Sequence, residues 1–188
     1  MRKFRQGKRQ LSRIRVFRVP RHLDSARSSY REGRLCLGGQ SMRCALGRAG
    51  VVHAKREGDG GTPAGKFKLL AGYFRADREA RLNSQVPLQP IHRRLGWCDD
   101  PGANQYNRPV RLPFNRSHEK LWRSDWLYNF VLVLDYNFQT RKKRAGSAIF
   151  FHIAENDLAP TAGCVAVRHA DMRKILPRLA KHCLMIIA

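Results

Sequence analysis

The sequence has few acidic residues and no long apolar run, and both absences narrow the range of functions. Asp and Glu number 14 against 37 Lys and Arg, which gives a formal net charge of +23 over 188 residues. No stretch has the apolar length of a bilayer span, so a polytopic membrane protein is excluded. The composition, 43% hydrophobic, also excludes collagen, a coiled coil and wholesale disorder. One domain with a sizeable core is expected, with anionic partners.

Cysteine pairs at metal-binding or redox spacing are missing as well. The five cysteines stand singly in the sequence, at Cys36, Cys44, Cys98, Cys164 and Cys183. An odd number with wide spacing does not describe a disulfide framework. No pair has the two-residue separation of a zinc knuckle or a redox dithiol. At least one free thiol is therefore expected.

The start of the chain is strongly basic. Residues 1–23 carry nine of the cations and precede the first acid, Asp24. Because blocks of like charge are commonly solvated, we expect residues 1–23 to be a flexible basic leader and residues 24–188 to be the folded domain. Within the leader, residues 14–19 alternate apolar and basic side chains, which predicts a strand with one basic face. No apolar stretch of the kind found in secretory signals follows the charges.

The middle of the chain predicts short strands separated by glycine-rich turns, without internal repeats. The predicted strands are residues 34–37, 42–46, 51–55, 66–73, 130–135 and 148–153. The fifth of these is continuously apolar, which is typical of a strand buried on both faces. A basic cluster at residues 141–144 precedes Gly146 and predicts an exposed loop.

Two helices are predicted beside these strands. Ser117 is placed to cap a helix over residues 117–126. Apolar residues at helical spacing predict a second helix over residues 170–182, which Pro177 would kink. Residues 77–116 are rich in proline and predict a long irregular excursion, of the kind that often forms a functional lid or a binding wall. The expected fold is a mainly β sandwich with one or two peripheral helices.

His152 and Cys164 form the densest candidate for catalysis. His152 ends an apolar strand, and Cys164 follows Gly163 twelve positions later. A cysteine nucleophile needs a base that takes its proton and donors that stabilise an oxyanion. A preceding glycine allows a sharp turn on which backbone N–H groups converge. The same residues also fit a buried thiol and a core histidine, and Cys98 and other histidines compete for these roles.

Several motifs resemble the L,D-transpeptidase catalytic domain of the YkuD type. The main ones are Gly60-Gly61-Thr62-Pro63-Ala64-Gly65-Lys66-Phe67, then His152, and then Thr161-Ala162-Gly163-Cys164-Val165. Further stretches resemble a compact proteobacterial branch of the family, at residues 44–48, 55–60, 96–101, 106–110, 117–122 and 146–150. The resemblance covers about residues 34–180 and implies a YkuD-like β-sandwich of mixed sheets.

The resemblance implies a reaction and a role for each motif residue. Cys164 would attack the L,D-peptide bond of a peptidoglycan stem peptide, form a thioester, and transfer the acyl group to an amine. His152 would be the base, and the N–H groups of Gly163 and Cys164 would bind the oxyanion. Thr161 would support the loop. This chemistry needs no metal or organic cofactor, and its substrate implies the periplasm or cell envelope.

The sequence departs from the family pattern at two positions and offers three residues for substrate binding. The family's usual His before the Gly-Cys pair is Ala162, and its usual polar residue two positions after the nucleophile is Ala166. Arg168 could replace the second lost contact. Asp99 and Asp100 could hold a substrate ammonium group, or they could simply form a turn.

Two other functions remain open from the sequence. With water as the acceptor, the same site would be an L,D-carboxypeptidase or an amidase. A basic nucleic-acid-binding module would need aromatic residues interleaved with its charges. The leader offers only Phe4 and Phe17 for that purpose, although it could still bind a polyanion.

Overall fold

The computed structural model describes residues 10–19 and 32–188, which fold mainly into β-strands. The strands are β1 (Leu11–Arg18), β2 (Glu32–Leu37), β3 (Gln40–Ala45), β4 (Val51–Val52), β5 (Thr62–Pro63), β6 (Gly65–Phe74), β7 (Leu88–Pro90), β8 (Leu95–Cys98), β9 (Arg108–Arg111), β10 (His118–Lys120), β11 (Phe130–Leu134), β12 (Phe150–Ile153), β13 (Val165–Val167) and β14 (Leu179–Ile187). A helix, α1 (His169–Ile175), and a 3₁₀ turn, Leu176–Arg178, precede the last of these strands. The predicted mainly β sandwich with mixed sheets and a peripheral helix is confirmed.

Nine strands form one mixed sheet that curls around the main core. Their order is β11-β12-β13-β3-β2-β1-β14-β6-β7, and β11 also pairs with β6, so the sheet returns on itself. Side chains of the inner face, such as Ile14, Leu35 and Met185, fill the enclosed space. Phe130–Leu134 is buried throughout, as its continuous apolar run predicts, because apolar clusters pack on both of its faces.

β1 is an integral strand of this sheet, although it lies within the segment predicted as a flexible leader. It pairs in parallel with β14 and antiparallel with β2. Ile14 and Val16 are fully buried while the arginines beside them are exposed, so the alternation seen at residues 14–19 does form a strand. The expectation of flexibility is wrong for Leu11–Arg18, because buried side chains hold it in the sheet. The division of the chain after residue 23 stays a prediction, and residues 1–9 and 20–23 lie outside the described residues.

The helix predicted over residues 117–126 is wrong, because this segment joins a second sheet. β8, β9 and β10 form three antiparallel strands, and His118–Lys120 pairs with Gly96–Cys98. After the strand, the Arg123 guanidinium binds the carboxylate of Asp125 at 2.6 Å. Residues two apart do not face each other on a helix, so this pair belongs to a turn. The second sheet packs on the outer face of β11 and β12 through the cluster that contains Trp97 and Leu121.

The helix predicted over residues 170–182 is confirmed only in its first half. α1 ends at Ile175, and Pro177, which cannot donate a backbone hydrogen bond, lies in the 3₁₀ turn. From Cys183 to Ile187 every second residue is buried, which is the period of a strand rather than of a helix. No helix in the described part of the chain has the length and apolar character needed to cross a membrane.

The other predicted strands are confirmed with shifted bounds, and several strands were not predicted. The segment predicted at residues 51–55 is shortened to Val51–Val52. The excursion over residues 77–116 contains three short strands, β7, β8 and β9. They escaped sequence analysis because each is only three or four residues long and is interrupted by proline or glycine.

Replacing Ile14 with alanine tests whether β1 contributes to stability. The side chain is fully buried, so we expect the free energy of unfolding to fall by about 2–5 kcal/mol. Urea denaturation followed by circular dichroism measures the change. Arg13→Ala is the matched control, because that exposed side chain lies on the other face of the same strand and should change stability by about 0.5 kcal/mol or less. Equal, small effects of both substitutions would contradict the structural role of β1.

Candidate active site

His152 and Cys164 come from neighbouring parts of the main sheet. β12 and β13 run parallel, and His152 lies opposite Ala166 in their register. Cys164 lies two residues before Ala166, immediately ahead of β13, so its side chain points to the same face of the sheet as that of His152. Both residues line one cavity of about 600 Å³. The structure therefore brings together the two residues that the sequence singled out.

The backbone carbonyl of Cys164 is held by two threonines. Thr161 donates its hydroxyl to this oxygen at 2.7 Å and accepts the N–H of Gly163 at 3.1 Å. Thr62 lies on the other side, with its hydroxyl 3.5 Å from the same oxygen. Thr62 also accepts the N–H of Gly47 at 2.8 Å and is fully buried. The Thr-Pro motif thus contacts the nucleophile loop directly.

Gly163 has a conformation that other residues rarely adopt. Its φ angle is 141°, and a Cβ atom on it would lie 2.8 Å from the carbonyl oxygen of Gly61. Only glycine allows this close approach of the two loops. The N–H of Gly163 donates to Thr161, so it is engaged within the loop rather than directed at the cavity as the oxyanion role would require.

His152 is buried, and Nδ1 of its ring hydrogen-bonds to the backbone. Nδ1 lies 2.8 Å from the carbonyl oxygen of Ile153. Because a carbonyl can only accept, Nδ1 carries the proton and Nε2 keeps its lone pair. The ring of Tyr128 meets the imidazole edge-on at a centroid distance of 5.1 Å. Burial lowers the pKa of His152 to about 4, which keeps the imidazole neutral at pH 7.

Cys164 is also neutral in this arrangement. Burial raises the pKa of its thiol to about 12, the nearby carboxylate of Glu119 acts in the same direction, and the N–H of Phe150 opposes both. Sγ accepts that N–H at 3.3 Å and lies 3.4 Å from the carbonyl oxygen of Ala148, to which the thiol donates. The resting pair is therefore thiol and imidazole rather than thiolate and imidazolium. Cys98, the competing nucleophile, is buried in a separate cluster.

Carboxylates line one part of the cavity although the protein is strongly basic. They belong to Glu57, Asp99, Glu119 and Glu155, and two cations, Lys55 and Arg123, line the same cavity. Burial raises the pKa of Glu119, and its Oε1 accepts hydrogen bonds from Tyr128 at 3.1 Å and from Arg123 at 3.3 Å. Oδ1 of Asp99 is buried and has no hydrogen-bond partner among the described residues. An ammonium group is the complement that such a surface binds best.

Of the three residues predicted to bind substrate, Asp99 alone lines this cavity. Asp100 accepts the N–H of Gly102 at 2.7 Å, which matches its alternative reading as a turn residue. Arg168 precedes α1 and lines a neighbouring cavity of about 510 Å³. Within the described residues, no group of three or more His, Cys, Asp or Glu is arranged to hold a metal ion.

A hydrogen-bond network that was not singled out in the sequence holds the part of the cavity wall that adjoins Cys164. Asn107 accepts the N–H of Ala148 at 3.1 Å and the indole N–H of Trp97 at 2.9 Å. Glu57 accepts the hydroxyl of Ser147 at 2.9 Å. All five residues lie in stretches that carry the family resemblance. Their joint presence was the only signal, because their spacing along the chain matches no local motif.

Comparison with known families agrees with this geometry. A family model described as the L,D-transpeptidase catalytic domain, YkuD, matches residues 23–187. The chain belongs to this family. Its members act on cell-wall peptidoglycan, so an enzyme of the cell envelope is indicated. A search of curated proteins finds no match. The matched range begins after β1, so this strand is a part of the sheet that the family match does not include.

Replacing Thr62 with valine tests whether the Thr-Pro motif supports the transpeptidase-family loop. The valine keeps the shape but leaves the N–H of Gly47 without its buried acceptor, so we expect a loss of about 1–3 kcal/mol in the free energy of unfolding. Urea denaturation checks the loss. Thr62→Ser keeps the hydroxyl and should retain most of the stability, and a loss in Thr62→Ser as large as that in Thr62→Val would contradict the role of the hydroxyl.

The low pKa of His152 predicts acid sensitivity. Its value of about 4 in the folded protein lies below the ordinary 6.5. The unfolded chain therefore takes up this proton first as the pH falls, and the protein loses up to roughly 3 kcal/mol of stability between pH 6.5 and pH 4, with none of this loss above pH 6.5. Unfolding free energies measured across that range should fall more steeply for the wild type than for His152→Gln. Parallel curves would contradict the buried, neutral imidazole.

Proposed function

We propose that this protein is a peptidoglycan L,D-transpeptidase with Cys164 as its nucleophile. The observation that carries the proposal is the shared cavity, into which Cys164 and His152 project from adjacent strands. Cys164 is the one cysteine among the described residues that lines this cavity. The family match adds the substrate class, peptidoglycan, to the geometry.

The reaction begins with transfer of the thiol proton. Nε2 of His152 has the free lone pair, so it takes the proton of Cys164 as the sulfur attacks the carbonyl carbon of the L,D-peptide bond. Because both groups are neutral at rest, the proton moves together with the attack, and no stored thiolate is needed. The tetrahedral intermediate then collapses to a thioester, and His152 gives the proton to the departing amine of the terminal D-Ala.

The second half of the reaction transfers the acyl group. An amine, the side-chain amine of a neighbouring stem peptide, attacks the thioester carbonyl while His152 takes its proton. The new amide forms, and the sulfur of Cys164 leaves and recovers its proton from His152. In each step, every proton and every leaving group is accounted for by Cys164, His152 and the two substrates.

Backbone groups of the nucleophile loop are assigned to the oxyanion. We place the N–H of Cys164 in this role. The N–H of Gly163 donates to Thr161, so it would join only if that bond were released. Gly163 serves chiefly by its conformation, and Thr161 serves by fixing the loop.

Substrate binding is assigned to the carboxylates of the cavity. Asp99 offers a buried oxygen without a partner among the described residues, and Glu119 lies close enough to interact with it electrostatically. We propose that they bind an ammonium group of the diamino acid in the stem peptide. Asp100 and Arg168 are left with structural roles, since neither lines the cavity.

Covalent labelling by a carbapenem tests the nucleophile. These drugs acylate the catalytic cysteine of this family, so intact-mass measurement should show one adduct on the wild-type protein and on Cys98→Ala. Cys164→Ala should show none while keeping its circular dichroism spectrum. An adduct on Cys164→Ala would overturn the assignment. His152→Ala should be acylated about 10²–10⁴ times more slowly if His152 is the base.

Product analysis decides which acceptor the enzyme uses. Purified stem peptides incubated with the protein should give cross-linked dimers, detected by mass spectrometry. Shortened monomers without dimers would instead indicate water as the acceptor, and hence an L,D-carboxypeptidase. Cys164→Ala is the control in both cases.

A further inference from the structure

The outer face of the main sheet carries a strongly basic surface, away from the cavity that Cys164 lines. The strand registers place Ser41, Cys36, Arg15, Ile186 and Lys66 side by side in one row across five strands, from β3 to β6. At about 4.8 Å per strand, this row is roughly 20 Å long. The inner neighbours of these residues lie in the main core, so the row faces outward.

Two shorter rows lie on either side of the first and extend the same surface. One consists of Arg43, Arg34 and Phe17, and the other of Arg13, Leu184 and Lys68. We call the surface formed by the three rows the basic face. All of its Arg and Lys side chains are exposed, and Phe17 is 40% exposed.

The positive charge of the basic face is largely uncompensated. Two acids adjoin it within residues 10–19 and 32–188: Glu32 forms an ion pair with Arg43 at 2.6 Å, and Asp135 accepts the backbone N–H of Lys68 at 2.9 Å. The remaining cations, from Arg13, Arg15, Arg34 and Lys66, have no ion pair with a described residue. A surface of this kind attracts anions over about a Debye length.

The apolar residues of the basic face indicate which anion it binds. Leu184 and Ile186 are half-buried aliphatic side chains that stand between cations within their rows, and Phe17 is the one aromatic side chain among the described residues of the face. Single-stranded nucleic acids bind to sheets through several stacked aromatic rings, which this face does not offer. Aliphatic side chains flanked by Lys and Arg instead match a bilayer surface, with its acyl boundary and its anionic headgroups.

We propose that the basic face binds the surface of a membrane that contains anionic lipids. The catalytic cavity opens on the outer side of β12 and β13, a different part of the ring of strands. The enzyme could therefore remain on the membrane while a peptide occupies the cavity. This inference does not depend on the reaction proposed above.

Vesicle sedimentation tests the proposal. The full-length protein should bind vesicles made of equal amounts of phosphatidylcholine and phosphatidylglycerol, and not vesicles of phosphatidylcholine alone. Arg15→Gln combined with Lys66→Gln should lower the partition coefficient about 30-fold, because each cation near an anionic surface contributes about a factor of five to six. Carbapenem labelling and the circular dichroism spectrum of the variant should be unchanged.

The matched control removes the same charge elsewhere. Lys142→Gln combined with Arg144→Gln neutralises two exposed cations of the basic loop at residues 141–144, outside the basic face. This variant should bind anionic vesicles as the wild type does. Equal weakening by both double variants would overturn the proposal, because it would show that net charge alone decides. Failure of the wild type to bind anionic vesicles would overturn it too.

A single substitution separates lipid from nucleic acid. Phe17→Leu keeps an apolar side chain for a bilayer but removes the ring that could stack on a base. We expect vesicle binding to be retained in this variant. Loss of vesicle binding, or displacement of the vesicles by a single-stranded oligonucleotide at lower concentration than by soluble glycerophosphate, would favour the nucleic-acid module and overturn the lipid proposal.

Discussion

The conformation of the loop around Cys164 depends on one carbonyl group, that of Cys164 itself, which two hydroxyl groups approach. Thr161 belongs to the loop itself, whereas Thr62 lies 102 residues earlier in the chain. The loop is therefore fixed only when distant strands have assembled around it. Gly163 adds a steric constraint, because the backbone of Gly61 leaves no room for a side chain. Backbone contacts, rather than an ion pair between nucleophile and base, set the position of the sulfur.

Charge is divided sharply between the surface and the cavity. The protein as a whole carries +23, yet four carboxylates line the cavity beside Cys164, against two cations, Lys55 and Arg123. A polyanion would be drawn to the exterior, while a cationic group of a peptide would be drawn inward. Acids are rare in a chain so rich in Lys and Arg. Their presence around one cavity is therefore informative about what that cavity binds. Asp99 is the clearest case, since its buried oxygen has no donor among the described residues.

The sequence predicted the chemistry of the site better than its walls. His152 and Cys164 could be found because an apolar strand and a glycine turn mark them locally. Glu119 could not be found in this way. It lies on a three-residue strand, in a segment whose apolar spacing predicted a helix, and only its pairing with β8 shows that the segment is a strand. Pro177 predicted a break in the helix but not that a strand follows it. The apolar residues beyond Pro177 fit the period of a helix and that of a strand over such a short distance. For Leu11–Arg18 the high density of positive charge led to the prediction of a flexible segment, although its apolar and basic residues alternate. The burial of Ile14 and its inner neighbours is what determines the structure.

The burial of Cys164 has a consequence for the survival of the enzyme outside the cytosol. Peroxides and foreign disulfides attack the sulfur anion, and a thiol with a pKa of about 12 supplies almost none of it at neutral pH. The sulfur is thus shielded from oxidants, and in the proposed mechanism it would react only when a bound carbonyl and His152 act on it together. The burial that raises the pKa of the Cys164 thiol therefore also slows the oxidation of its sulfur.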